Sequence, residues 1–260
     1  QKEVFGVLRD NRSPDSFVMG ATVLNAGDQS SRFSHDIDLS HDIAAKVAES
    51  ALQDTESLRD HGFEVEQMIL QPSFQRARVS RKGGNVVLEW VYDSAFRFFP
   101  VEPDPQLGYR LHFLDAATNK ILALAGRAEP RDFVDAIQLH RNDLSLGALA
   151  WAAAGKDEGL NPAMILDLAH RFAHYRQAEM DGLAMVRPLN ISELKRQWTE
   201  ALAKGNGLVR QLPAEEIGCL YLDEGGNAVE PDPASPMFST LTRHYGSVRG
   251  AWPRIVEDRK

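Results

Sequence analysis

The segment SRFSHDIDLSHD, from Ser31 to Asp42, places acidic side chains on alternate positions of a short apolar run. Ile37 and Leu39 alternate with polar residues, which predicts a β-strand that is buried on one side. Residues two apart on a strand point to the same face, so Asp36 and Asp38 would lie side by side. Two adjacent carboxylates repel each other unless a cation lies between them, and hard oxygen ligands suit Mg²⁺ that shares its coordination sphere with substrate phosphates. The segment therefore predicts a strand that carries a metal site.

A phosphate-binding turn is predicted just upstream. The apolar run SFVMG, from Ser16 to Gly20, is typical of a short strand, and the sequence continues through Ala21 as the start of a helix. A strand, a tight glycine turn and a helix start leave backbone N–H groups available to a phosphate. Arg32 and Ser34 stand just before the aspartates, where they would contact phosphate or order the turn.

A third carboxylate lies in a later strand pattern, VVLEWV, where Glu89 is flanked by Val, Leu and Trp. An unpaired charge in such a strand is costly, so Glu89 needs a partner. If this strand neighbours the strand of Asp36 and Asp38, Glu89 completes the three-carboxylate site that a two-metal displacement at phosphorus requires.

Two alternatives for this third carboxylate stay open. Glu89 could instead form a salt bridge across the sheet to an arginine such as Arg78 or Arg97. Asp93, four residues further on, shares the face of Glu89 if the strand runs straight, which makes it a rival third ligand.

The two His-Asp dipeptides of the segment raise another possibility, a metal-dependent phosphohydrolase. That class places its His-Asp pair on a helix, whereas the pair at His35 opens an alternating strand. His35 is therefore interpreted as a solvent-facing or structural histidine, and Asp42 as the cap of the following helix.

The remaining sequence predicts an α+β fold in two parts. FEVEQMIL, FQRARVS and NVVLEWV alternate like strands, with a hairpin turn at Lys82-Gly83-Gly84-Asn85. After Leu114 the patterns are helical and separated by Gly, Pro and Asn, before a Gly- and Pro-rich tail from Gly205. We expect residues 1–114 to form a mixed, largely antiparallel sheet flanked by helices, and residues 115–260 to form a mainly helical region packed on the active-site cleft.

Composition limits the class of protein. The 260 residues are 43% hydrophobic and carry a net charge of −8, so any contact with nucleic acid needs a local basic patch, conceivable around Arg76, Arg78, Arg81 and Lys82. The single cysteine, Cys219, excludes an internal disulfide and is expected to be a buried apolar residue in a reducing cytoplasm. No run approaches the ~18 apolar residues of a membrane helix, so a soluble protein with no membrane contact is expected.

Two motifs resemble a known family. The residues G-A-T from Gly20, followed by R-F-S-x-D-I-D-L from Arg32, are similar to the first motif of the DNA polymerase β-type nucleotidyltransferases, and more narrowly of the AbiEii/AbiGii-type toxin nucleotidyltransferases. NKILALAGRAEPRDFVDAIQL, from Asn119 to Leu139, is similar to that family's signature E-K-L-x-A-L-x-x-R-x-x-P-R-D-x-x-D-L. The two motifs follow in the family's order and span roughly residues 16 to 140.

The resemblance implies a nucleotidyltransferase fold and specific roles for the matching residues. Asp36 and Asp38 would be ligands of Mg²⁺, or of Mn²⁺, and Glu89 would bind metal or activate the attacking hydroxyl. The phosphates would be held by residues of both motifs, namely Gly20, Ala21, Arg32, Ser34, Lys120 and Arg131. Lys120 would neutralise the charge of the triphosphate and so take part in catalysis. Asp132, also catalytic, would join Arg131 at the cleft from the helical side.

The implied activity is Mg²⁺-dependent transfer of a nucleotidyl group from an NTP to RNA (tRNA by family analogy), a protein or a small molecule. Such a protein would be the toxin of a toxin–antitoxin or abortive-infection pair, with a cognate antitoxin as partner. The alternative is a catalytically inactive binding module of the same fold. Two features favour this binding module. Ala21 stands where the family usually has a second Gly or Ser, and the net charge of the chain is acidic. A glycosyltransferase would explain the Asp-x-Asp triplet but not the RDFVD motif.

Overall fold

The computed structural model describes residues 1–25 and 36–253, so the predicted phosphate contacts Arg32 and Ser34, and also His35, lie outside the described residues. The chain forms two compact units. The first comprises Gln1–Ala95 and Pro100–Ala116, and the second comprises Phe96–Phe99 and Ala117–Lys260. Within the described ranges, none of the helices combines the length and the apolar character needed to span a membrane.

The strands, in chain order, are β1 (Ser16–Met19), β2 (Asp36–His41), β3 (Glu64–Gln71), β4 (Phe74–Arg81), β5 (Gly84–Tyr92), β6 (Phe96–Arg97), β7 (Glu102–Asp104), β8 (Gly108–Arg110), β9 (Cys219–Leu222), β10 (Thr242–Tyr245) and β11 (Ser247–Val248). The helices are α1 (Lys2–Leu8), α2 (Ala21–Leu24), α3 (Ala44–Asp60), α4 (Phe113–Gly126), α5 (Pro130–Asn142), α6 (Leu146–Ala153), α7 (Pro162–Phe172), α8 (Gln177–Asp181) and α9 (Ile191–Gln211).

A seven-stranded sheet organises the first unit, in the order β3-β4-β5-β2-β1-β8-β7. The β2–β5 and β1–β8 pairs are parallel and the other neighbours are antiparallel. The predicted α+β class, with a mixed and largely antiparallel sheet followed by a helical region, is confirmed.

Hydrophobic alternation places one face of this sheet in the core. Ile37 and Leu39 of β2 are fully buried, as are Leu88 and Trp90 of β5. Helix α3 contributes side chains at helical spacing to the same core, namely Val47, Ala51 and Leu58. Because side chains alternate along a strand, the intervening residues of β2 and β5 project from the other face of the sheet.

The hairpin between β4 and β5 turns at Lys82 and Gly83, both with positive φ (51° and 80°). Two residues with positive φ match the right-handed twist of the flanking strands. The predicted turn spanned residues 82 to 85, but Gly84 and Asn85 already belong to β5. This one-residue shift decides which side chains face each other across the hairpin.

Two further predictions need correction at element ends. Ile43, not Asp42, occupies the N-cap of α3, and no side chain caps the helix there. The strand continues through His41, so the chain needs Asp42 and Ile43 to turn before helical geometry begins. In the predicted strand GYRLHF, only Gly108–Arg110 is extended, because α4 already begins at Phe113.

The second unit is mainly helical and also contains short strands. Helix α9 continues past Gly205, where the change in composition suggested a tail, and ends at Gln211. The later chain pairs β9 with β10, and β11 with β6. Cys219 in β9 is buried as expected, and burial raises the pKa of its thiol to about 11.

Candidate active site

Strand register brings the predicted carboxylates onto one face of the sheet in the first unit. In the parallel pair β2–β5, Asp38 lies directly opposite Glu89 and Asp36 opposite Val87. Directly opposed residues on neighbouring strands point to the same face, with Cβ atoms about 5 Å apart. The condition set by the sequence, that the Glu89 strand neighbours the Asp36–Asp38 strand, is therefore met.

Gly20 lies directly against the Asp38 carboxylate. It follows β1, where Met19 pairs with Asp38, and it has φ 70° and ψ −148°. This backbone conformation is essentially restricted to glycine. A Cβ atom built on residue 20 would overlap Oδ2 of Asp38. The glycine is thus needed for its conformation and also for the space that the carboxylate occupies.

The helix predicted after Gly20 is short. Helix α2 covers only Ala21–Leu24, and Gly20 occupies its N-cap without a side-chain cap. A single turn sums few peptide dipoles, so its macrodipole adds little to anion binding. Any phosphate contact at this turn would depend on the backbone N–H groups of Ala21 and its neighbours.

Glu89 forms an ion pair with Arg76, its direct partner on β4. Nη2 and Nε of Arg76 lie 2.5 and 2.8 Å from the Glu89 carboxylate, and both contacts end on Oε1. The Glu89 side chain is 21% exposed. The salt-bridge alternative is therefore realised with Arg76, whereas Arg78 pairs with Glu66 at 2.8 Å.

Asp93 lies beyond the end of β5. It is therefore outside the row of carboxylates formed by Asp36, Asp38 and Glu89, which we call the carboxylate row. Its N–H donates to the carbonyl oxygen of His41, at the far end of β2 from Asp36. Its carboxylate accepts a hydrogen bond from the Ser94 N–H at 2.7 Å. Of the two rival third carboxylates, Glu89 is the one that lies beside Asp38.

No three acidic, His or Cys side chains in residues 1–25 and 36–253 are already arranged as ligands of one ion. The arginines of the conceivable basic patch also have acidic partners. Besides the Arg76 and Arg78 pairs, Nη1 of Arg81 lies 3.7 Å from Oε2 of Glu3. These pairs reduce the positive potential that a nucleic acid would meet on β4.

A buried polar network fixes the strands that carry the site. Both oxygens of Asp54 on α3 accept hydrogen bonds from Nη2 of Arg12, at 2.5 and 2.6 Å. The indole N–H of Trp90, the residue after Glu89, donates to Asp54 at 2.7 Å, and the Asn11 amide donates at 2.8 Å. Arg12 and Asp54 are buried, so the network joins α3 to β5 inside the core.

The same network reaches β2 through His41. Nη1 of Arg12 donates to the Ser16 hydroxyl, which lies 3.0 Å from Nε2 of His41. His41 is fully buried. Burial, together with the nearby charge of Arg12, lowers the pKa of His41 to about 4, although Asp54 acts in the opposite direction. The imidazole is therefore neutral at physiological pH.

In the second unit, Lys120 and Asp132 contact each other. Nζ of Lys120 on α4 lies 2.5 Å from Oδ1 of Asp132 and 3.2 Å from Oδ2 of Asp135, both on α5. Nε of Arg127 donates to the other Asp132 oxygen at 2.8 Å. The Lys120 side chain is 8% exposed. Burial alone raises the pKa of the Asp132 carboxyl, but Lys120 and Arg127 outweigh it and hold that pKa below its usual value.

Two other residues bear on this cluster. Arg131, predicted as a phosphate contact, lies 3.8 Å from the Glu129 carboxylate. The buried Tyr175 packs its ring on Phe133 at a centroid distance of 5.3 Å. Burial and the negative charge of Asp132 raise the pKa of the Tyr175 phenol to about 12.

Sequence reasoning named Arg76 only as part of a conceivable basic patch. It missed the pairing of Arg76 with Glu89, and it missed the Arg12–Asp54 pair. A correct hairpin turn would have revealed Arg76, because counting back from Lys82 and Gly83 places it opposite Glu89. The Arg12–Asp54 pair joins residues 42 positions apart and no local pattern marks it.

Comparison with known proteins gives a match to one family model and to several solved structures. Residues 8–215 match the family model of the nucleotidyl transferase AbiEii toxin of type IV toxin–antitoxin systems. The fold is similar to that of MenT4, a nucleotidyltransferase toxin from Mycobacterium tuberculosis H37Rv, at 17% identity and TM-score 0.57 over 83% of each chain. It is also similar to JHP933 from Helicobacter pylori, at 17% identity and TM-score 0.51 over 80% of this chain and 89% of that one. A sequence comparison with curated proteins gives no match.

Proposed function

The chain belongs to the AbiEii family of nucleotidyltransferase toxins, and from this premise we propose that it transfers a nucleotidyl group from an NTP to an acceptor, with release of pyrophosphate. The observation that carries the proposal is the register that sets Asp38 beside Glu89, with Gly20 packed against the Asp38 carboxylate. Asp36, Asp38 and Glu89 would hold Mg²⁺ or Mn²⁺, since all three offer hard oxygen ligands from neighbouring positions of one face.

The donor set fits such an ion chemically. Asp36, Asp38 and Glu89 lie on one sheet face, and neighbouring carboxylates repel one another unless cations balance their charge. A bound divalent cation would supply Lewis-acid stabilisation of the charge that develops on the transferred phosphoryl group. The protein's own contribution is to hold the carboxylates on paired strands and to leave room at Gly20 for the Asp38 side chain.

The remaining residues of the two motifs have proposed roles in binding nucleotide. Backbone N–H groups at Gly20 and Ala21 would contact phosphate, together with Arg32 and Ser34. In the second unit, Lys120 and Arg131 would bind phosphate, and Asp132 would orient Lys120, with which it is already paired. To reach a phosphate, Lys120 would exchange one of its two carboxylate contacts for the ligand.

The proposed acceptor and the proposed partner are taken from analogy with the family. An RNA acceptor, tRNA by family analogy, is proposed alongside a protein or a small molecule. The net charge of −8 and the acidic partners of the β4 arginines give RNA no electrostatic support. A cognate antitoxin is the proposed protein partner, because the family is that of a type IV toxin–antitoxin system.

Isothermal titration of Mn²⁺ and a non-hydrolysable NTP tests the site. We expect Asp36→Asn and Asp38→Asn to weaken metal-dependent nucleotide binding at least tenfold. Asp93→Asn is the matched control, because it removes a carboxylate beyond the end of the same sheet's β5 strand and should bind like the wild type. Equal binding by all four proteins would contradict the proposed site.

A specific observation also favours the inactive binding module. The Glu89 carboxylate forms an ion pair with Arg76. Ala21 stands at the position where the family usually has a second Gly or Ser. Incubation with each of four labelled NTPs and total cellular RNA and protein separates the two functions. Label on an acceptor, lost in Asp38→Asn, supports the transferase. No label with any nucleotide from a folded protein supports the binding module.

A further inference from the structure

Arg76 lies beside the carboxylate row, next to Glu89, and has no role in the proposed reaction. It is the direct partner of Glu89 on β4, and Glu89 is in turn the direct partner of Asp38 on β2. The three side chains therefore form one line across three adjacent strands, on the same face of the sheet. The guanidinium is the cation nearest to Glu89 in this line.

Contacts on both sides hold the arginine in place. Its Cζ atom lies 5.4 Å from the centre of the Phe74 ring, which is two residues away on the same strand face. Its Nε and Nη2 atoms both contact Oε1 of Glu89. A planar guanidinium held by a ring on one side and a carboxylate on the other has few alternative rotamers.

Both contacts from Arg76 end on the same oxygen of the Glu89 carboxylate. Because both nitrogens of Arg76 approach Oε1, Oε2 stays outside the two contacts. A carboxylate held by one oxygen is fixed in orientation while its other oxygen can bind a metal. Residues that orient a metal ligand in this way typically change metal affinity or activity 10- to 100-fold when replaced.

We propose that Arg76 is a positioning residue for the metal site, which orients Glu89 through Oε1 so that Oε2 serves as the third carboxylate ligand beside Asp38. This inference rests on the proposed function, since it needs a divalent cation at the carboxylate row. Arg76 acts through Glu89 and is not assigned any contact with the metal.

Arg78 offers a matched control. It lies two residues along on the same strand and face, and its ion pair with Glu66 at 2.8 Å resembles the Arg76 pair. Glu66 lies on β3, on the side of β4 away from Asp38. Loss of Arg78 thus removes the same charge and a similar pair without touching the carboxylate row.

The test is titration of the whole protein with Mn²⁺ alone. Binding is measured by calorimetry and by the electron paramagnetic resonance signal of the free ion. Wild type, Arg76→Ala, Arg76→Lys, Arg78→Ala and Asp38→Asn are compared, with circular dichroism to establish that each is folded. We expect Arg76→Ala to bind Mn²⁺ at least tenfold more weakly, Arg76→Lys to recover part of that loss, and Arg78→Ala to stay within twofold of wild type.

The outcomes separate this inference from the proposed function. If Arg76→Ala binds Mn²⁺ as tightly as wild type, or more tightly, while Asp38→Asn does not bind, the metal site stands and the role of Arg76 is refuted. An equal loss in Arg78→Ala also refutes it, because the effect is then one of surface charge. If wild type itself binds no Mn²⁺ with or without nucleotide, the proposed metal site fails, and the inference with it.

Discussion

Gly20 packs so closely on Asp38 that a Cβ atom at position 20 would overlap the carboxylate oxygen Oδ2. The glycine directly follows β1, and Asp38 lies on the neighbouring strand opposite Met19, so the contact is set by strand pairing. It explains in steric terms why a glycine stands before the helix in the first motif.

Replacing Gly20 by alanine should displace the Asp38 carboxylate and weaken Mn²⁺ binding at least tenfold, about 1.4 kcal/mol. The backbone conformation of residue 20 adds a cost of roughly 1–3 kcal/mol in stability. Gly62→Ala is the control, because Gly62 has φ 76° and a Cβ atom at that position would have no neighbouring atom within 4 Å. Gly62→Ala should lose some stability because of its positive φ but bind Mn²⁺ normally. A parallel loss of binding would show that backbone strain alone is responsible.

Asp54→Asn should strongly destabilise the sheet unit. The change leaves the buried guanidinium of Arg12 without a counter-charge, and breaking a buried pair typically costs about 3–5 kcal/mol. Urea unfolding followed by circular dichroism measures the effect. Glu66→Gln, which breaks the exposed pair with Arg78, should change stability by only about 0–1 kcal/mol. Similar midpoints for the two variants would argue against a structural role of the buried network.

The neutral His41 predicts a loss of stability in mild acid. Its pKa is about 4 in the folded protein against an ordinary 6.5, so below pH 6.5 the unfolded chain binds a proton that the folded chain does not. The stability that neutral His41 contributes is present above pH 6.5 and is lost as the pH falls to about 4, with a total of roughly 3 kcal/mol.

Unfolding free energies of wild type and His41→Gln, measured between pH 7.5 and 4, check this expectation. Glutamine retains a polar group near the Ser16 hydroxyl but does not titrate. The wild type should lose more stability than the variant over this range. Identical pH profiles would mean that His41 is protonated in the folded protein or that other groups dominate.

In the second unit, Gly147→Ala should be destabilising because two helices touch there. A Cβ atom on Gly147 of α6 would lie 2.7 Å from Cα of Gly205 on α9, a backbone atom that cannot easily move. We expect a cost of about 1–3 kcal/mol in urea unfolding. Gly207→Ala, two residues along α9 with nothing within 4 Å, should be neutral or stabilising by up to about 1 kcal/mol. Equal effects at both positions would exclude the close helix contact as the cause.

Local sequence patterns were sufficient to predict the Asp36–Asp38 strand of the first motif. Alternation around Ile37 and Leu39 predicted a half-buried strand with Asp36 and Asp38 on one face, because side-chain direction on a strand depends only on position along it. The family resemblance was equally accessible, since it depends on residue types in order, and the family match over residues 8–215 confirms it.

Which side chains contact each other depends on strand register and on packing between distant segments. The hairpin turn lies at Lys82 and Gly83, and a turn centred one residue later would have paired Glu89 with Arg78 in place of Arg76. Cross-strand partners shift by two residues for each one-residue change of turn, so a small local uncertainty changes the ion pair completely. The buried contact of Arg12 with Asp54 depends on packing between distant segments, which local sequence patterns do not encode.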